Sequence, residues 1–144
     1  MKLFLLDAMA LIYRAYFALN RNPRINSKGF NTSAILGFAN TLYDILQNEK
    51  PTHIGIAFDT FAPTIRETDF AEYKAQREKM PEDIANALPY IRQLIEGFNI
   101  PILELDGYEA DDVIGTLAHK AEEKGFEVMC SGQSGKVILD WTQV

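Results

Sequence analysis

KLFLLDAMALIYRAYFAL, residues 2–19, decides the fold: an unbroken apolar run stops at an acid and passes straight into a helical pattern. Lys2–Leu6 has no polar alternation, which suits a short strand buried on both faces of a parallel sheet, and Asp7 stands at its end. From Met9 to Leu19 the apolar residues Leu11, Ile12, Ala15, Tyr16 and Leu19 recur at helical spacing. The same unit recurs downstream. Asn20–Phe30 is a polar loop with Pro23 and Gly29, and Thr32 or Ser33 is placed to cap a helix whose stripe is Ile35, Phe38, Ala39, Leu42, Ile45 and Leu46. After Pro51 comes a second strand, His53–Phe58, again ending in an acid, Asp59.

From Thr60 to Met80 periodicity is lost, and a segment of this length outside the regular pattern reads as a functional excursion or a disordered one. Helical spacing returns over Glu82–Phe98, with Pro89 expected to kink it. Ile100–Leu105 is a third strand, and Gly107 turns the chain into a helix from Glu109 to Lys124, closed by Gly125. Phe126–Cys130 is a fourth strand. Strands alternating with helices imply right-handed crossovers, hence an α/β domain with a parallel sheet covered on both faces. Ligands of such sheets bind outside the carboxyl ends of the strands, where the acids fall.

The chain has 144 residues, enough for one domain with a real core, and its net charge of −6 argues against binding nucleic acid through bulk positive charge. Charge is nevertheless uneven. No carboxylate lies between Asp7 and Asp44, while Arg14, Arg21, Arg24 and Lys28 do. This basic island is a set of candidate phosphate contacts or of ordinary exposed solubility residues. A single cysteine, Cys130, allows neither a disulfide nor a thiolate zinc site and fits a reducing cytoplasm. No signal-peptide pattern is read at the start, and no apolar stretch reaches the roughly 20 residues of a membrane helix, so a soluble protein without a membrane partner is expected.

Asp7, Asp59, Glu109, Asp111 and Asp112 should gather at one sheet edge. An acid after a strand is commonly a turn former, and acids opening a helix favour its dipole, so each alone has a structural explanation. Successive strands all ending in acid are harder to explain by capping. Converging carboxylates need a cation, and oxygen-only ligands without His or Cys suit Mg²⁺ or Mn²⁺ and hence phosphodiester hydrolysis. In the excursion, Arg66, Lys74, Arg77 and Lys79 are candidate phosphate contacts and Tyr73 a candidate base-stacking residue; Glu67, Asp69, Glu72 and Glu78 cancel that charge and favour a plain solvated loop on composition. His53 and His119 have no partner at metal-ligand spacing. Gly132, Gly135 and Lys136 fail as a phosphate loop, with no Gly at position 130 and Val137 where Ser or Thr is needed.

FLLDAMALIYRAYFAL (4–19), AFD (57–59), PTIRETDFAEYKAQRE (63–78), MPEDI (80–84) and GYEADDVIGTLAHKAEEKGFEV (107–128) together resemble the 5′ nuclease domain of bacterial DNA polymerase I, nearly to Met129. That resemblance implies a three-layer PIN-like (Rossmann-like) fold and a 5′-3′ exonuclease or flap endonuclease. Two Mg²⁺ or Mn²⁺ ions would be used, on DNA with a 5′ end or flap and on RNA primer–DNA hybrids, in bacterial cytoplasmic replication and repair beside a polymerase domain. Carried over by position, Asp7, Asp59, Glu109, Asp111 and Asp112 become metal-site carboxylates. Arg66 and Lys74 become ligands of the scissile phosphate, and Tyr73 and Arg77 contacts to DNA. Arg14, Arg24 and Lys28 of the basic island are expected to contact DNA as well.

The pattern departs after the fourth strand. The family continues with a Thr-x-Asp-Lys-Asp type motif that completes the metal site, whereas this chain reads CSGQSGKVILDWTQV (130–144), with no acid before Asp140. Residues 1–130 are therefore expected to be the N-terminal part of the domain and 131–144 a divergent tail, from a frameshift, a premature stop or a fragmentary gene. The sheet is then expected to be incomplete with an unpaired edge, and activity weak or absent. Two readings stand beside this one: a noncatalytic nucleic-acid-binding fragment, and a PIN-type ribonuclease with RNA-only cleavage.

Overall fold

A computed structural model of the chain describes residues 1–60, 80–131 and 138–140. The first strand, β1 (Lys2–Asp7), leads directly into helix α1 (Ala8–Ala18). Then come α2 (Ser33–Asp44), a π-helical turn (Ile45–Glu49), β2 (His53–Ala57), α3 (Glu82–Gly97), β3 (Ile102–Leu103), α4 (Ala110–Glu123), β4 (Glu127–Ser131) and β5 (Ile138–Asp140). The sheet order is β3-β2-β1-β4-β5, with β1 at its centre. The first four strands pair in parallel, Leu5 lying opposite Gly55 on one side and Cys130 on the other.

Because strand side chains alternate, β1 feeds two cores. Phe4 and Leu6 pack with Ile12, Phe38, Leu42, Ile56, Ile84, Ile91 and Ile95 under α1, α2 and α3. Leu5 faces the other way, with Ala57, Ile114, Ala118, Val128 and Cys130 under α4. Three layers result, as an apolar run without alternation requires. Helices α1 and α2 approach closely at Gly37, where a Cβ would lie 2.5 Å from that of Ala15.

Several boundaries differ from the sequence reading. The third strand shrinks from Ile100–Leu105 to Ile102–Leu103: it is an edge strand, and Pro101 has no N–H to offer, though its carbonyl accepts from Ile56 N at 3.1 Å. Helix α3 continues through Pro89 as one helix from Glu82 to Gly97. Neither Thr32 nor Ser33 caps α2 with its side chain. Thr32 Oγ1 donates to the Arg24 carbonyl at 2.7 Å and Ser33 Oγ accepts from Arg24 N at 2.8 Å, so both hydroxyls fix the preceding loop instead. Strand β4 is not the sheet edge: β5 runs antiparallel to it, with Met129 opposite Asp140 and Ser131 opposite Ile138, so among the described residues the edge on that side is β5. A link too short for a crossover helix permits only that direction.

Candidate functional site

The parallel strands deliver Asp7 and Asp59 to the same edge, and the turn after β3 delivers α4 with its N-terminus pointing at them. Asp7 is 4% exposed and caps α1, its Oδ1 accepting from Ala10 N at 3.2 Å. Asp59 Oδ1 accepts from Ala110 N at 2.7 Å, in the first turn of α4. The Asp111 carboxyl lies near enough to Asp7 for its charge to act on it. Three acids from three separate segments thus lie near one another at this edge, with Asp7 between the charges of the other two.

The meeting is electrostatically costly. Burial pushes the Asp7 carboxyl up from 3.8 to about 6; the Ala10 N–H opposes this, and the charges of Asp111 and Asp59 add to it. Glu109 and Asp112 sit at the same helix mouth but are turned into a capping box, Glu109 N donating to Asp112 Oδ2 at 3.2 Å. The five acids therefore do not converge equally, and among the described residues no three His, Cys, Asp or Glu side chains form a ready-made metal cage. Hydrated Mg²⁺ or Mn²⁺ does not need one, since it keeps several waters and takes one or two carboxylates. Hard oxygen donors around a buried, raised carboxylate fit such a cation.

Arg14, Arg21, Arg24 and Lys28 are all exposed. The loop bearing the last three is built: Asn26 Oδ1 accepts from Lys28 N and Phe30 N, both at 3.0 Å, and Gly29 takes φ 79°, which a side chain would resist. Arg66, Tyr73, Lys74 and Arg77 lie outside the described residues. Two features escaped the sequence reading. Asp83 Oδ2 accepts from Tyr16 Oη at 3.3 Å and Asn31 Nδ2 at 3.2 Å, tying the start of α3 to α1 and its loop. Beside Asp59, a cleft of about 490 Å³ is lined by Thr60, Arg92, Glu104, Leu105 and Asp106. No spacing signal announces either, because the partners come from different segments.

Fold and site define a Rossmann-like α/β domain with an acidic centre at the carboxyl edge of its sheet. Residues 2–134 match the model of the 5′-3′ exonuclease N-terminal resolvase-like domain, and the chain belongs to that family. It is 48% identical over 128 residues to DNA polymerase I of Bacillus subtilis, covering 88% of this chain and 14% of that protein. It is 44% identical over 126 residues to a 5′-3′ exonuclease of Aquifex aeolicus, covering 88% of this chain and 43% of that one. The chain thus spans about one-seventh of the polymerase relatives. Among solved structures it is similar to the T5 5′-exonuclease with bound zinc, at TM-score 0.58 and 16% identity over 90% of this chain and 48% of that one. It is also similar to the phage T5 flap endonuclease in a pseudo-enzyme–product complex with DNA and metal ions, at TM-score 0.61 and 16% identity over the same shares. These likenesses concern the fold. Among the described residues no helix is long and apolar enough to cross a membrane.

Proposed function

We propose that this domain hydrolyses phosphodiester bonds at the 5′ ends and flaps of DNA, and on RNA primer–DNA hybrids, with Mg²⁺ or Mn²⁺. It would act in bacterial cytoplasmic replication and repair, in a protein that also carries a polymerase domain. The observation that carries this reading is the meeting of Asp7, Asp59 and Asp111, with Asp7 buried and its pKa raised to about 6. Such a site costs stability unless a cation shares it. Asp7, Asp59 and Asp111 would hold metal, with Glu109 and Asp112 contributing through water, at up to two positions. The chemistry a cation held by these residues would supply is polarisation of the phosphate and a lower pKa for an attacking water.

The chain's own residues supply position and charge. Asp7 and Asp59 are fixed by backbone N–H donors, so their oxygens are oriented before any ligand arrives. Arg66 and Lys74 would neutralise the scissile phosphate, and Tyr73 would stack on a base. Arg77, Arg14, Arg24 and Lys28 would hold the strand backbone away from the acids, a local answer to a net charge of −6. The stretch after β4 has no acid before Asp140, which pairs opposite Met129 on the edge strand, so turnover by this chain should be slow. The engagement of Glu109 with Asp112 favours a second reading, a binding module without turnover. Cleavage of a labelled 5′ flap duplex with Mg²⁺ or Mn²⁺, beside Asp111→Ala, separates the two. Metal-dependent short 5′ products lost in the variant support the nuclease; binding of the flap without products supports the module.

A further inference from the structure

Arg92 on α3 grips Glu104 with both ends of its guanidinium, Nη1 to Oε1 at 3.1 Å and Nη2 to Oε2 at 2.8 Å. The same group lies over the ring of Phe58, 4.4 Å from its centroid. Phe58 is buried and immediately precedes Asp59, while Glu104 begins the turn that leads to Glu109, Asp111 and Asp112. One planar cation therefore touches two of the three segments that bring acids to the site.

Its position adds to the Asp59–Ala110 hydrogen bond where few other restraints act. Phe58 N donates to the Leu103 carbonyl at 2.9 Å, just past the last paired residues of β2 and β3. Beyond it Leu105 is 56% exposed and Tyr108 is exposed as well, so packing does little to hold the turn, whose own bond runs from Tyr108 N to the Leu105 carbonyl. The Arg92–Glu104 pair is itself about one-third exposed, at 34% and 39%. As an ion pair it adds little stability, but a two-pronged bond above an aromatic face fixes orientation.

We infer that Arg92 is a positioning residue for the metal site: through Phe58 and Glu104 it clamps the ends of β2 and β3 and sets Asp59 against the mouth of α4. The inference rests on the metal reading above. It is tested by Mn²⁺ titration of the whole chain, read by electron paramagnetic resonance, for wild type, Arg92→Gln, Arg92→Lys, Glu104→Gln and the double variant Arg92→Gln/Glu104→Gln. Metal-free melting is followed in parallel. Each single variant should weaken Mn²⁺ binding by about 3- to 10-fold, Lys included because it loses the fork. The double variant should be no weaker than the singles, since both break one clamp. Metal-free melting should move by no more than about 2 °C. Wild-type affinity in the single variants, additive losses in the double, or a loss of melting temperature in step with affinity would each overturn the clamp. A folded wild type that takes up no Mn²⁺ would instead overturn the metal reading, and this inference with it.

Discussion

The Asp59 carboxylate accepts a 2.7 Å hydrogen bond from the backbone N–H of Ala110, so the end of β2 is stitched to the first turn of α4. One side chain thereby satisfies a helix terminus and holds a negative charge beside Asp7 and Asp111.

Replacing Asp59 separates those two roles. Asp59→Asn keeps an acceptor oxygen and should melt within about 2 °C of wild type, whereas Asp59→Ala orphans the Ala110 N–H and should lose about 1 kcal/mol. Both should lose Mn²⁺-dependent stabilisation. Thermal melts with and without Mn²⁺ check this; an Asn variant still stabilised by the metal would remove Asp59 from the site.

Asp7 should be a liability in the metal-free protein. Its folded pKa, about 6, lies above the ordinary 3.8, so its contribution is neutral below pH 3.8, grows more unfavourable as pH rises from there to 6, and is fully unfavourable above it. Asp7→Asn preserves a capping oxygen for Ala10 and should stabilise the chelated protein at pH 7 by on the order of 2 kcal/mol, with no gain at pH 3.5. Denaturant midpoints across that range measure it. Equal stabilities at both pH values would mean that the carboxyl is not strained.

Gly37→Ala places a methyl 2.5 Å from Ala15 Cβ and should cost about 1–3 kcal/mol by forcing α1 and α2 apart. Gly115→Ala on α4 meets nothing within 4 Å and should be neutral or stabilising by up to about 1 kcal/mol. Chemical denaturation of the two variants reads the contrast directly.

What the sequence made legible follows from the range of the forces involved. Strand and helix order is readable because burial imposes a local pattern: the unbroken apolar run Lys2–Leu6 marks a strand buried on both faces, and Leu11, Ile12 and Ala15 follow at helical spacing. Gly125 was readable as the stop of α4 because its φ of 85° is a single-residue requirement. Strand β5 was not: Ile138–Asp140 has too few residues for a periodic signal, and its pairing with β4 is tertiary. The hydroxyls of Thr32 and Ser33 at the start of α2 do not serve as caps because Arg24 is a competing partner for both. At the site, strand-end acids were visible as a recurring position, but the capping box was not separable from metal ligation, since both call for acids at a helix mouth. Arg92 and Glu104 left no mark in one dimension.

The central claim is that Asp7, Asp59 and Asp111 form a divalent-metal site, and counting bound Mn²⁺ by electron paramagnetic resonance tests it most directly. The account predicts saturable binding by wild type, lost in Asp7→Asn and Asp111→Asn and retained in Glu123→Gln, which lies at the far end of α4. Folded wild type that binds no Mn²⁺, or an Asp111→Asn variant that binds it as tightly as wild type, would contradict it.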